Sequence, residues 1–460
     1  MKIVILGAGQ VGSNLAAELA GEANDITLVD TDEHRLRELQ DRIDISTTAG
    51  RASLPSVLQQ AGVDEADMII AVTNSDEVNM VACQIAYTLY RTPTKIARIR
   101  TPNLQRYQNE LFVGDNRAFP IDVVISPEAL VTDYINRLIM TPGALQVLDF
   151  AEGQVQMVGV RVSAGSMLVG TEIRYLRSFI PNIDTRVVAV YRKNRAITPH
   201  ADTVIEEDDE VFLIADRKDL RVILNELRRQ EPPYKRILIA GGGNIGYRLA
   251  STLERRHSVK VIEHNEDRAN LLAESLSRVL VLQGDSSDQE LLIAENVEDI
   301  DVFIAVTNDD EANIMSSLLA KRLGARKVMT LINNPAYVDL VQGGEIDIAI
   351  SPSQATLGSL LTHVRRGDIV NVHSLRRGAA EAIEAIAHGD KRSSKVVGRR
   401  LDEIDLPSGT TIGAIVRDNQ VLIAHDDLVV ETDDHVILFV INKRRLRDVE
   451  RLFQVGLTFF

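Results

Sequence analysis

One cysteine, Cys83, is all the thiol chemistry this 460-residue chain carries. A single thiol excludes an internal disulfide framework and any cysteine-cluster metal site. In the helical pattern after Asn79 it reads as a small buried hydrophobe. Long apolar runs are missing as well: stretches such as Val436 to Ile441 are strand-sized, well short of the ~18 residues of a spanning helix. Met1 leads straight into a strand-like KIVIL, leaving no room for a signal peptide. Basic residues are outnumbered, 51 Lys and Arg against 66 Asp and Glu, for a net charge of -15. That field repels nucleic acid and anionic lipid head groups. The expectation is a cytoplasmic protein with no nucleic acid partner and no direct lipid binding, reaching a membrane only through a protein partner. No H-E-x-x-H, G-x-S-x-G or cysteine-rich ligand set occurs.

What the chain does contain is a long internal repeat. KIVILGAGQVGSNLAAELAGEANDITLVD, Lys2 to Asp30, returns as RILIAGGGNIGYRLASTLERRHSVKVIE, Arg236 to Glu263. Gly7 and Gly241 stand 234 residues apart, and the same offset carries Gly50 onto Gly284, Ala71-Val72-Thr73-Asn74 onto Ala305-Val306-Thr307-Asn308, and Asn79 onto Asn313. The offset then slips to 225, where Ile125-Ser126-Pro127 answers Ile350-Ser351-Pro352. Both read as a short strand, an N-cap serine and a helix with proline first. Those helices, Glu128 to Ile139 and Ser353 to Val364, are expected to cross over and dock on a neighbour.

Within each copy, strands apolar on both faces (Ile26-Val29, Met68-Val72, Ile96-Ile99; Val259-Ile262, Val302-Val306, Val328-Leu331) alternate with helical stretches. This pattern predicts a doubly wound parallel sheet covered on both sides. A different texture, from near Leu145 to Leu227 and again from about Val372 to Phe453, predicts a small α+β domain used twice. The fold class is therefore α/β, two Rossmann-like domains alternating with two small α+β domains. The expected boundaries are 1–141, 142–230, 231–370 and 371–460, with Gln230-Glu231-Pro232-Pro233 as a linker. The small domains' acidic turns, residues 206–210 and 431–434, read as solvated strand entries more readily than as cation sites.

The glycine turns carry the chemistry. Gly7 permits the bend from strand to helix, Gly9 lets the backbone approach a pyrophosphate, and Gly12 lets helix and strand pack closely; Gly241, Gly243 and Gly246 repeat that logic. The turn residues Ala8, Gln10 and Val11, with Gly242, Asn244 and Ile245, belong to the same sites. Asp30 and Glu263, each at the end of the second strand, are placed to accept ribose hydroxyls and repel a 2'-phosphate, favouring NAD-type or adenine nucleotides over NADP. Thr31 and Arg35 follow Asp30 in the first site. The copies differ where Arg51-Ala52 faces Asp285-Ser286. They differ again where Arg98 and Arg100, in KIARIR, have no basic counterpart in Val328-Met329-Thr330-Leu331. Those arginines are expected either to contact phosphates in the first site or to lie on a solvated face. Thr73-Asn74 and Thr307-Asn308 either hydrogen-bond ligand or cap the next helix. No acid–base cluster accompanies the crevices: His200, His373, His388, His425 and His435 are scattered, and the copies are read as sharing no histidine position. No catalytic residue and no metal site are assigned.

GAGQVG followed by Asp30, the GRAS and GDSS tetrapeptides, and AVTN-x-DE-x-N before a helix together resemble the regulator-of-potassium-conductance family. Two such units in one chain, with the stretch from His363 to His388, resemble its tandem NAD-binding members. The resemblance implies a nucleotide-sensing gating subunit that binds NAD or NADH, and the arginines of the first copy favour ATP or ADP at the first site. It further implies a homotetramer, peripheral to the inner face of the plasma membrane, whose partner is a membrane-embedded potassium transporter subunit of the Trk type. The alternatives from other classes are an NAD-dependent oxidoreductase and a transcriptional redox sensor.

Overall fold

Strands of four to six residues with both faces buried need helices on both sides, and the chain builds this layer twice. The computed structural model describes the chain except residues 22–23, 115–117, 180–182, 194, 228–231, 342–343, 366–367, 376–379 and 456–460. The linker residues Gln230 and Glu231 thus lie outside the described residues, as do parts of the 363–388 stretch.

The first sheet comprises β1 (Lys2–Leu6), β2 (Asp25–Asp30), β3 (Ser46–Ala49), β4 (Met68–Ala71), β5 (Thr94–Arg98) and β6 (Val123–Ile125), all parallel in the order β3-β2-β1-β4-β5-β6. The order reverses between β1 and β4, and the helix Gln10–Ala20 springs from this point. Ile3, Val4, Ile5 and Leu6 are completely buried.

The second sheet is small and antiparallel: β7 (Ala144–Phe150), β8 (Val155–Arg161), β9 (Thr185–Arg192), β10 (Arg195–Ile197) and β11 (Glu210–Asp216), ordered β10-β9-β11-β8-β7. The parallel sheet then returns as β12 (Arg236–Ala240), β13 (Ser258–Glu263), β14 (Leu280–Gln283), β15 (Val302–Ala305), β16 (Lys327–Leu331) and β17 (Ile348–Ile350), ordered β14-β13-β12-β15-β16-β17. The last sheet comprises β18 (Ile369–Leu375), β19 (Ala380–Ala387), β20 (Thr410–Arg417), β21 (Gln420–Ile423) and β22 (Asp434–Val440), ordered β18-β19-β22-β20-β21, the second sheet's topology again. The chain divides into two compact units, Met1–Val131 with Ser351–Leu360, and Thr132–Ile350 with Leu361–Phe460. The helices Pro127–Met140 and Pro352–Val364, expected to cross over, are each divided between the units.

The two small sheets share one hydrophobic core, in which Phe150, Ile214, Leu375, Ile437 and Phe439 are fully buried. The rings of Phe212 and Phe439 lie 5.9 Å apart. Gly413 makes the close approach possible, because a Cβ there would stand 2.9 Å from Val188 Cγ1 and 3.0 Å from Ile214 Cδ1. The tight turn after β7 carries positive φ at Ala151 (48°), Glu152 (55°) and Gly153 (84°). A carboxylate from the other sheet holds it: Ala151 N–H donates to Glu384 Oε2 at 2.9 Å, and His435 Nδ1 lies 2.6 Å from Glu384 Oε1.

The acidic turns are solvated, as expected, at Glu206, Glu207 and Asp208 and at Glu431 and Asp433, but each also carries one aspartate into the interior. Asp209 and Asp434 are completely buried, and each carboxylate takes a two-pronged hydrogen bond at 2.8 Å from an arginine on the adjoining strand, Arg192 or Arg417. The same guanidinium also reaches Glu206 or Glu431. An offset of 225 relates these pairs, and it places His425 opposite His200, so the copies do share one histidine position. It is not a common acid–base site, since His425 Nε2 lies 2.8 Å from Asp184 while His200 is exposed.

Candidate nucleotide-binding site

Each glycine turn is fixed by contacts that no side chain tolerates. Gly7 has φ +105°, and its N–H donates to Val29 O at 2.8 Å. A Cβ on Gly12 would fall 1.8 Å from Gly7 O, and one on Gly246 would fall 1.9 Å from Gly241 O. Gly9 and Gly243 are the opposite case: a Cβ on either meets no protein atom within 4 Å. Gly9 is extended, with φ -63°, and is the N-cap of the helix Gln10–Ala20, whose first-turn amides have no intrahelical carbonyl to meet. The open side of the turn together with unpaired amides at a helix N-terminus forms an anion cradle. The residues present therefore fit a pyrophosphate in both copies.

The carboxylates stand beside these cradles. Asp30 accepts from Ala8 N–H at 2.6 Å and Asp32 N–H at 3.0 Å; Glu263 accepts from Gly242 N–H at 2.7 Å and Asn265 N–H at 2.8 Å. Glutamate is one methylene longer than aspartate, and the second turn makes room by having glycine where the first has alanine. A Cβ on Gly242 would stand 2.2 Å from Leu272 Cδ1 and 2.9 Å from Glu263 Oε2. Asp30 Oδ1 also accepts from the Thr31 hydroxyl at 3.5 Å, which leaves Asp30 Oδ2 and both Glu263 oxygens with a lone pair for a ribose hydroxyl.

Gln10, Thr31, Arg35, Arg51 and Asn74 lie exposed around the first crevice, Val11 is half-buried, and Ala52 is buried in the core, so that Ala52 offers a ligand only its backbone. In the second copy Asn244, Asp285 and Asn308 are exposed and Ile245 is half-buried. Asp285 is occupied by its own turn, accepting from Ser287 N–H at 2.8 Å and Ser287 Oγ–H at 2.7 Å. The Ser287 hydroxyl and amide hold its carboxyl below the usual 3.8.

Thr73 is held within the fold. Its hydroxyl donates to Asn79 Oδ1 at 2.7 Å, and Thr307 and Asn313 repeat the contact at 2.7 Å. The caps of the next helices are Ser75 and Asp309, accepting from Val78 N–H and Ala312 N–H. Asn79, completely buried, also donates to Arg98 O at 2.9 Å and so ties the ends of β4 and β5 together; Asn313 does the same through Leu331 O at 3.0 Å. Asp76 accepts from the amides of Arg100 and Thr101, and Asp310 from those of Asn333 and Asn334. Asn79, Asp76, Asn313 and Asp310 are supports that the glycine-turn pattern does not reveal, although their shared offset of 234 marks them.

The two arginines part company. Arg100 Nε donates to Glu128 Oε1 at 3.0 Å, whereas the buried Arg98 Nε has no hydrogen-bond partner among the described residues. Burial, with the charge of Arg100 beside it, lowers the Arg98 guanidinium from its ordinary value. In the second copy the places of Arg98 and Arg100 belong to Leu331, which is buried, and Asn333, whose Nδ2 bonds Asp310 at 3.0 Å. Arg268 was not singled out in the sequence. Its Nε donates to Gly242 O at 2.7 Å, and its guanidinium lies 5.9 Å from the centre of the Tyr247 ring. Arg35, at the matching position after Asp30, is the signal that marks it.

Paired glycine-turn Rossmann domains, each followed by a small antiparallel domain, define the class of protein to which this chain belongs. The TrkA-N domain matches residues 3–127 and 237–352, and the TrkA-C domain matches residues 157–228 and 391–454. The chain is 67% identical over 460 residues to the Trk system potassium uptake protein TrkA of Halomonas elongata, with all of both chains covered. It is 59% identical to that of Vibrio alginolyticus, covering 99% of each. The chain belongs to the TrkA family. Among solved structures, the GsuK RCK domain aligns with a TM-score of 0.60 at 19% identity, covering 98% of this chain and 94% of that one. The GsuK channel bound to NAD aligns with a TM-score of 0.60 at 20% identity, covering 98% and 78%. Both share the fold.

Proposed function

We propose that this chain is the nucleotide-sensing gating subunit of a potassium uptake system, acting by binding rather than by catalytic turnover. NAD, NADH or an adenine nucleotide occupies the crevices at Gly7–Gly12 and Gly241–Gly246, with Asp30 and Glu263 on the ribose. The segments 1–141, 142–230, 231–370 and 371–460 act as the moving parts. The observation that carries this reading is the duplication of the whole cradle, turn, carboxylate and Asn79-type clasp alike, in a member of the TrkA family.

No helix among the described residues is long and apolar enough to cross a membrane. In this reading, which rests on membership of the TrkA family, the chain works from the cytoplasm, peripherally at the inner face, as a homotetramer under a membrane-embedded potassium transporter subunit of the Trk type. Gating requires a ligand with different affinity for two states of the assembly, typically a coupling of ~1–3 kcal/mol per site. Arg98, whose Nε has no hydrogen-bond partner among the described residues, with Arg100 nearby, favours ATP or ADP at the first crevice, where a terminal phosphate gains charge-assisted hydrogen bonds.

Co-purification with the membrane subunit, with and without ATP, NAD and NADH, tests the reading. Nucleotide-dependent association supports it. Turnover of bound nicotinamide at enzyme-like rates with a small substrate would replace it by the oxidoreductase.

A further inference from the structure

In the first copy a continuous chain of contacts runs from the glycine turn to the end of β5. Gly7 packs against the Thr73 backbone, Thr73 is clasped by Asn79, and Asn79 holds Arg98 O. A dinucleotide lies across the point where strand order reverses, its adenosine over β1 and β2 and its second nucleoside over β4 and β5. Arg98 therefore stands at the end of the crevice where the second nucleoside sits. Asp76 and Arg100 are also near, but Asp76 is occupied by the amides of Arg100 and Thr101, and Arg100 by Glu128. The guanidinium with the orphaned Nε is that of Arg98.

The second copy runs the same chain through Gly241, Thr307 and Asn313 to Leu331. Here Leu331 and Asn333 replace both arginines, while the buried Asp310 remains. The first crevice thus has the cation Arg98 at the end of β5, with Asp76 and Glu128 near enough to act on it but each hydrogen-bonded elsewhere. The second has an apolar side chain there and the same amide-bound carboxylate, Asp310, with no arginine beside it to offset the charge.

We propose that the two crevices rank the redox forms of a nicotinamide dinucleotide in opposite order: the first favours the reduced form, whose dihydronicotinamide is neutral, and the second favours the oxidised form, whose ring is cationic. This rests on the proposed function, which supplies the nucleotide but not the ranking. A change of about one unit charge at roughly 7 Å, at an effective dielectric constant of about 40, corresponds to roughly tenfold in affinity. The effect weakens with salt to the extent that the crevice is wet. A chain with both crevices then reads the ratio of the two forms rather than the total dinucleotide.

The test is calorimetric titration of the full-length protein with NAD and with NADH in two backgrounds. Glu263→Gln weakens the second crevice's ribose contact so that the first is read, and Asp30→Asn does the reverse. The expected result is NADH tighter than NAD by roughly tenfold at the first crevice, and a reversed preference at the second. Arg98→Leu, which installs the second copy's residue, brings the first crevice's ratio toward unity, and Arg98→Lys retains it. Equal affinities in the Glu263→Gln background, or an unchanged ratio in Arg98→Leu, overturn the proposal. Failure of both dinucleotides to bind either crevice overturns the nucleotide-sensing reading itself, and the ranking with it.

Discussion

Replacing Gly9 by alanine puts a methyl group into space that no protein atom enters within 4 Å. The backbone there is extended, at φ -63° and ψ -177°, which alanine adopts without strain. Two small opposing effects act on stability. Alanine is a poorer N-cap than glycine, and it restricts the unfolded chain, so the net change stays within about 1 kcal/mol. The methyl group nevertheless stands on the face of the turn that a pyrophosphate must approach. Loss of one hydrogen bond to a charged phosphate oxygen costs about 1.5–3 kcal/mol, a weakening of roughly 10- to 150-fold. Gly12→Ala is the contrasting variant: its methyl falls 1.8 Å from a backbone carbonyl, so the helix must part from the strand and stability itself falls. Thermal unfolding and nucleotide titration of the two variants separate these effects. A Gly9→Ala protein that binds nucleotide as tightly as the parent would refute placement of the phosphates at this turn.

The small-domain pair offers three further tests. Gly413→Val drives a side chain into Val188 and Ile214, and urea unfolding should show a loss of about 1–3 kcal/mol or more from overpacking. Asp209→Ala leaves Arg192 without its two-pronged partner and should cost about 3 kcal/mol in the same assay, with Asp434→Ala behaving alike through Arg417. Burial lowers His373 below 6.5, so the unfolded chain binds its proton more readily. The His373 contribution is complete above pH 6.5 and is lost as pH falls toward the folded value. His373→Gln should flatten that acid limb of the stability–pH curve, which an unchanged limb would contradict.

The glycine turns were legible because their constraint is local: Gly12 and Gly246 must lack a Cβ whatever surrounds the domain. The central parallel strands were legible because burial on both faces leaves a plain apolar run, whereas the largely exposed edge strands β3, STTA, and β14, LVLQ, were not. β19 was not, since its sequence, AEAIEAIA, is made of good helix formers. It becomes a strand because both faces are buried and its carboxylates find partners elsewhere, Glu381 on Arg365 at 2.7 Å and Glu384 on Ala151 N–H. The arginine clasps were hidden for the same reason. Arg192 and Asp209 are 17 residues apart and meet only once β9 pairs with β11. At the crevices, Asp30 and Glu263 follow from spacing, whereas the roles of Thr73 and Asn79 depend on the two strand ends that Asn79 joins.

The most direct test of the central claim is potassium flux through vesicles holding the membrane transporter subunit and this protein, measured with and without nucleotide. The account predicts flux that responds to nucleotide with the parent chain. It also predicts that the response is lost or shifted to higher nucleotide concentration with Gly9→Ala and Gly243→Ala together, the assembly remaining intact. Flux indifferent to nucleotide in the parent, or an undiminished response in the double variant, would contradict it.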